Sequence, residues 1–262
     1  MQIFHQTLWK NFHVWKRATL DPFPLHFHDY IEILYIKNGS AVCSVDFTEY
    51  TLSKDDILFV FPGQIHAVIS ATEQCENHVL FFPKEIPIFA SVFENNIPTL
   101  PAVHSTEEID ELFAKALKSY TNYKNPYAKG EALGQILILL SKLLPRLELI
   151  SQIPSDNRIE RKIIEYCTAH FAEPLTLTDI ATEFGYTPSY FSDIFSQKFN
   201  GGFLKFINIL RTEEAKKHLQ GNKEISNIAF SCGFGSIRTF NRVFKELTGK
   251  TPREYRLSHT KK

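Results

Sequence analysis

The chain has 262 residues, 44% of them hydrophobic, and balances 29 Lys+Arg against 29 Asp+Glu. That length allows one or two domains, and an apolar content that includes 23 Phe excludes global disorder. The balance hides an asymmetry: residues 1–154 carry 12 basic against 17 acidic side chains, and residues 155–262 carry 17 against 12. An acidic module joined to a phosphate-facing one has this pattern.

The N-terminal run MQIFHQTLWKNFHVWKR places charges and histidines where a signal peptide needs an unbroken apolar stretch. The most apolar stretch, Ala132 to Leu147, is too short to span a bilayer comfortably and contains Gln135 and Lys142. Cys43, Cys75, Cys167 and Cys232 are scattered without a C-x-x-C pair, which argues against a disulfide framework or a zinc site. A cytoplasmic protein with no membrane partner is expected.

From about Phe23 to Phe82 the chain reads as strands: Ile31 to Ile36, Ala41 to Phe47, Asp56 to Phe61 and His66 to Ile69. Asn38-Gly39 and Pro62-Gly63 punctuate them as turns. Short strands with regular turns predict a small barrel or sandwich. Glu94 to Pro101, with two prolines and two asparagines, reads as a connection. Two helices follow, Thr106 to about Tyr123 and about Lys129 to Leu147. The second is apolar on most of its circumference, so either its own domain or a second subunit must cover it. Ser151 to Asn157 is a polar linker, and the domain boundary is placed there, giving domains 1–153 and 154–262. The fold class is α+β in two domains: a β-barrel with helices, then an all-α unit.

Within that all-α unit one pattern occurs twice. Ile180-Ala181, Gly185-Tyr186, Phe191 and Phe195 return as Ile228-Ala229, Gly233-Phe234, Phe240 and Phe244. Each copy reads as a short helix, a glycine turn and a second helix with aromatic anchors, which is the outline of a helix-turn-helix. In the first copy Phe191, Ile194 and Phe195 share a buried face, and Ser189, Tyr190, Ser192, Asp193 and Ser196 are DNA-contact candidates. In the second copy Phe240, Val243, Phe244 and Leu247 point inward. Ile237, Arg238, Asn241, Arg242 and Lys245 are the matching contact candidates. Arg can pair with guanine and Asn with adenine through two hydrogen bonds each. A helix from Phe203 to about Gln220 separates the copies and would act as a strut between two major-groove probes.

The stretch IAFSCGFGSIRTFNRVFKELTGKTPREYR, Ile228 to Arg256, closely resembles the motif of the AraC/XylS family of bacterial transcription regulators. Its matching elements are Ile228-Ala229, Gly233-Phe234, Phe240, Arg242, Phe244-Lys245, Gly249, Thr251-Pro252 and Tyr255-Arg256. Leu210 to Leu219 resembles that family's linker helix, R-x-x-x-A-x-x-L. The resemblance covers about 100 residues and implies sequence-specific binding to double-stranded DNA and control of transcription, with room for contacts to RNA polymerase. Two departures stand out. Asp193 occupies a position where many relatives carry a basic or amide residue, and could accept from cytosine N4 or point away. Asn200 replaces a glycine, with Gly201-Gly202 following.

The N-terminal half contains His26-x-His28-x-x-x-Glu32, Gly39 and Pro62-Gly63-Gln64-Ile65-His66, which resembles the cupin barrel pattern. Leu20 and Asp56 stand where that pattern usually has glycine. The resemblance leaves three roles open for these side chains: a small-ligand pocket, a metal site or a structural core. The reading taken is an effector pocket formed by His26, His28, Glu32, Tyr35 and His66, with a sugar as the candidate effector by analogy only. No metal, cofactor or catalytic residue is assigned. The expected protein is an effector-responsive, homodimeric DNA-binding regulator. Its alternatives are a metal-dependent cupin enzyme with an appended DNA-binding domain and a constitutive DNA-bending or adaptor protein.

Overall fold

The computed structural model describes residues 12–94, 96–122, 125–151, 159–199 and 202–259. They form two compact units, one through residue 151 and one from residue 159. The boundary expected between 153 and 154, and most of the linker around it, lie outside the described residues.

The N-terminal unit holds two antiparallel sheets. Strands β1 (His13–Arg17), β2 (Phe23–His26), β3 (Tyr30–Ile36), β4 (Ala41–Val45), β5 (Thr48–Leu52), β6 (Asp56–Val60), β7 (His66–Ala71) and β8 (Asn77–Pro83) are followed by α1 (Ala90–Glu94), β9 (Asn96–Pro98) and β10 (Ala102–His104). Helices α2 (Glu107–Tyr120) and α3 (Ala128–Leu143) and strand β11 (Leu149–Ser151) complete it. One sheet has the order β1-β8-β3-β6-β10, the other β2-β7-β4-β5, and β11 pairs with β9. The expected connection at 94–101 therefore contains a strand.

Side chains alternate between the two faces of a strand, and β3 shows the consequence. Ile31, Ile33 and Tyr35 join Ile57, Phe59 and Leu80 in a core with Phe113, Ile136, Leu139 and Leu140 of α2 and α3. Leu34 and Ile36 turn the other way, toward Val45, Leu58, Val60 and Phe81 between the sheets. Leu20, the departure from the cupin pattern, is buried in this second core. β4 ends at Val45, earlier than expected, because Asp46 and Phe47 both take positive φ (47° and 68°) in the tight turn to β5.

Thr106 caps α2 by accepting from the Ile109 N–H, so the helix starts one residue after the cap and ends at Tyr120. α3 stops at Leu143 and tightens into a 3-10 turn, Leu144–Arg146, because Pro145 has no N–H to continue an α-helix. α3 is covered on one side only. Ala132, Ile136, Leu139 and Leu140 are buried, while Ile138 is 47% exposed.

The C-terminal unit is helical: α4 (Ile159–His170), α5 (Leu177–Glu183), α6 (Pro188–Lys198), α7 (Phe203–Leu219), α8 (Ile225–Ser231), α9 (Ile237–Thr248) and α10 (Pro252–His259). α5–α6 and α8–α9 are the two helix-turn-helix motifs. Their local chemistry is repeated. Thr176 and Asp179 form a reciprocal capping box on α5, Thr187 caps α6 ahead of Pro188, and Ser236 caps α9. Gly185 and Gly233 make the two turns at φ +71° and +84°. α7 packs against α6 and also against α8 and α9. Its 17 residues span about 26 Å.

No helix among the described residues is long and apolar enough to cross a membrane.

Candidate nucleic-acid interface and effector site

On α6, Phe191 and Phe195 are fully buried, which turns Ser189, Tyr190, Ser192, Asp193 and Ser196 to solvent. On α9, Phe240, Val243 and Phe244 go inward, and Ile237, Arg238, Asn241, Arg242 and Lys245 are exposed. The two outward faces differ in charge. α9 offers Arg238, Arg242 and Lys245, while the candidates on α6 are hydroxyls and the Asp193 carboxylate. Among these candidates the positive charge therefore lies on α9. Arg242 also reaches Glu246 at 3.3 Å, an exposed pair that contributes little and yields readily to another anion.

Sequence reasoning missed Tyr186, whose ring stacks on Tyr190 at 4.8 Å and leaves both tyrosines nearly half exposed at the start of α6. The available signal was an aromatic directly after the motif glycine. It also missed what Arg211 in the linker-helix motif does. Arg211 Nε donates to the Phe171 carbonyl at 2.7 Å and Nη2 to that of Glu173 at 3.0 Å. Its guanidinium lies 6.0 Å from the centre of the Phe234 ring. Arg211 thus ties the end of α4, which leads into the first motif, to the turn of the second. Gly233 closes the same junction, since a Cβ there would lie 2.7 Å from Ala172 Cα.

In the barrel unit, β2 and β7 pair so that His26 faces His66 directly. His28 follows β2, and Glu32 sits on β3 beside Val60 and Phe81. The three rings converge: centroids are 3.9 Å apart for His26–His66, 4.8 Å for His28–His66 and 5.8 Å for His26–His28. Glu32 Oε2 lies 3.1 Å from His28 Nε2 and 3.2 Å from His66 Nε2. One ligand-capable atom from each of the four residues falls within 4.8 Å of the others. All three histidines are buried, and the Glu32 side chain keeps 15% exposure.

Burial lowers the pKa of His26, and its neighbours His66 and His28 add to the effect. His28 is lowered chiefly by burial as well, against the pull of Glu32. Burial pushes the Glu32 carboxyl up, but hydrogen bonds with His28 and His66 outweigh that and hold it well below the usual carboxylate range. Phe23 packs on His26 at 4.6 Å and Phe81 on His28 at 5.5 Å. Gln64 braces the loop before His66, accepting from the Phe61 N–H and donating to Asp46.

Tyr35 requires a correction. It was expected beside the histidines, but it lies three residues after Glu32 on the same strand and so points to the opposite face. Its ring packs 4.7 Å from Phe113 on α2, and its hydroxyl bonds to Asp110 and Lys37. Tyr35 belongs to the sheet–helix core, not to the histidine cluster.

Fold and site together define a two-domain protein that joins a cupin-like barrel to a tandem helix-turn-helix unit. Residues 14–137 match the family model of the AraC-like ligand binding domain, and residues 180–258 match that of the helix-turn-helix domain. The chain belongs to the AraC/XylS family of transcription regulators. An uncharacterized HTH-type transcriptional regulator of Staphylococcus aureus is 34% identical over 124 residues, 47% of this chain and 16% of that protein. The chain thus spans only a small part of that relative's length. The HTH-type transcriptional activator RhaS of Klebsiella pneumoniae is 23% identical over 253 residues, 92% of this chain and 90% of the relative. Among solved structures, ToxT of Vibrio cholerae has the same fold, with a TM-score of 0.55 at 16% identity over 94% of this chain and 97% of ToxT. Wild-type ToxT bound to an unsaturated fatty acid gives a TM-score of 0.52 at 18% identity, covering 94% of both chains.

Proposed function

We propose that the protein is a cytoplasmic regulator that binds double-stranded operator DNA through Ser189–Ser196 and Ile237–Lys245 and is controlled by a small molecule in its barrel. The observation that carries this reading is the paired architecture of the C-terminal unit. Two capped helices bury their aromatic faces and leave short polar faces outward, and α7 packs against both motifs. A helix presented this way can enter a major groove, where base edges are read by Arg, Asn and hydroxyl side chains. RhaS is named a transcriptional activator, and ToxT has been solved with a fatty acid bound, which supports a small-molecule effector for this architecture. His26, His28, Glu32 and His66 are the effector-side residues. A hydroxyl-rich ligand such as a sugar suits their polarity by analogy. Effector occupancy would shift which presentation of the DNA-binding unit is populated. The open side of α3 is the homodimer contact in this reading, and RNA polymerase is a further partner.

Selection of binding sites from random duplexes tests the proposal. On the winning sequence, Arg238→Ala and Arg242→Ala should each cost about 1–3 kcal/mol, and affinity should fall as salt rises. Unchanged affinity in both variants would remove these side chains from the interface.

A further inference from the structure

Each recognition helix is anchored in its own motif, so their joint placement depends on how α7 is tied to both. Ala215 and Leu219 of α7 share a core with Ile228, Ala229, Phe240 and Phe244 of the second motif. The first motif meets α7 near its start, where the Phe206 ring lies 5.9 Å from that of Phe195 and 4.9 Å from that of Phe199. Apolar packing is non-directional, so a contact at one place still lets the packed groups swivel. A second tie that is directional removes that freedom, and hydrogen bonds have the required angular preference.

Arg211, in the middle of α7, supplies it. Its Nε and Nη2 donate to the carbonyls of Phe171 and Glu173, 40 and 38 positions upstream. Those carbonyls belong to the turn after α4, which is held independently. The Glu173 N–H donates to the His170 carbonyl at 2.9 Å, and His170 Nδ1 donates to the Glu173 carboxylate at 3.0 Å. From α4, Tyr166 packs on Phe184 at 5.6 Å, and Phe184 stacks at 5.8 Å on Phe191, the buried anchor of α6. In the other direction the guanidinium faces Phe234, whose ring packs at 5.0 Å on Phe240, the buried anchor of α9. One side chain therefore completes a chain of contacts from the anchor of one recognition helix to that of the other. Its planar fork fixes direction as well as distance, which a flexible ammonium does not.

We propose that Arg211 is a positioning residue that fixes the separation and rotation of α6 relative to α9, and so decides which spacing of two half-sites in a duplex the protein accepts. This role rests on the regulator reading above. Side chains on α6 and α9 choose the bases, whereas Arg211, half-buried in the junction, chooses the distance between them. One base pair inserted between half-sites moves one of them by about 3.4 Å and rotates it by about 35°. Two helices locked through the guanidinium cannot follow that displacement, while two joined only by aromatic packing can.

The test uses the full chain and the duplex that the wild type selects, with its spacer kept, shortened or lengthened by one base pair. The wild type should lose at least about 10-fold in affinity on either altered spacer, the equivalent of one or two lost base contacts. Arg211→Lys keeps the charge without the fork, and Arg211→Met removes the donors. Both should discriminate among the three spacers by about 3-fold or less, below the loss of a single base contact, with base preferences inside each half-site unchanged. A merely structural role would instead weaken binding to all three by the same factor. Spin labels on Gln197→Cys in α6 and Glu246→Cys in α9 give a readout without DNA, since all four native cysteines are buried. The distance distribution between them should be narrow in the wild-type background and broader with Arg211→Met. If Arg211→Met does not fold by circular dichroism, Arg211→Lys carries both measurements. Equal binding of all three spacers by the wild type, an unchanged spacer preference in the variants, or identical distance distributions overturns the role of Arg211. A broadened distribution in a protein that selects no duplex defeats the regulator reading and leaves Arg211 as the tie between the two helices.

Discussion

Gly185 and Gly233 occupy the same place in the two helix-turn-helix motifs, and only one of them is crowded. Both have left-handed φ, +71° and +84°, but a Cβ at 185 meets nothing within 4 Å. At 233 it would meet Ala172 Cα and O at 2.7 Å and Ala172 C at 2.9 Å, all of it backbone that cannot swing aside. Gly185→Ala should therefore cost only the left-handed penalty, about 1–2 kcal/mol. Gly233→Ala adds overpacking of about 1–3 kcal/mol, for a total of about 2–5 kcal/mol. The gain from a stiffer unfolded chain is the same in both variants and cancels in the comparison. Urea unfolding followed by circular dichroism at 222 nm suits the helical unit, because residues 159–259 contain no tryptophan, while Trp15 on β1 reports on the N-terminal unit by fluorescence. Because Ala172 lies between the two carbonyls that Arg211 holds, Gly233→Ala should also loosen that junction and weaken DNA binding more than Gly185→Ala does. Equal stability losses in the two variants would refute the close-approach argument.

His78 is buried on β8, its Nδ1 has no hydrogen-bond partner among the described residues, and its pKa falls to about 4 through burial and the nearby Lys16 and Lys37. The unfolded chain protonates it first as pH drops, so its contribution to stability is intact above about pH 6.5 and is lost down to about pH 4. His78→Phe should flatten that part of the fluorescence-detected stability profile, and a profile parallel to wild type would discard the assignment. Ile138→Arg places a charge on the open side of α3, where Gly130 and Gly134 also leave room for a partner. Sedimentation should show a wild-type dimer and a variant monomer, and identical behaviour of the two would move the dimer contact elsewhere.

Much of this molecule is legible in local patterns. The tandem motif could be read because caps, glycines and aromatic anchors act within a few residues: Thr187-Pro188 starts a helix wherever it occurs, and Gly233 can hold a φ that other residues resist. The cluster of His26, His28 and Glu32 was visible because strand spacing keeps near neighbours near. Tyr35 was misplaced for the same kind of reason. Proximity along the chain suggested a shared pocket, while the three-residue step from Glu32 carries the side chain through the sheet.

Residue order alone determined the two domains, the repeated motif, the outward faces of α6 and α9 and the set of side chains able to meet in the barrel. Each depends on periodicity, turn chemistry or short spacing. Tertiary structure decided which of those side chains actually meet. The His26–His66 register and the lock of Arg211 and Gly233 on residues 171–173 join segments 38 to 61 positions apart. Local preferences are silent about such pairs, because their geometry is set only when strands and helices close around a common core.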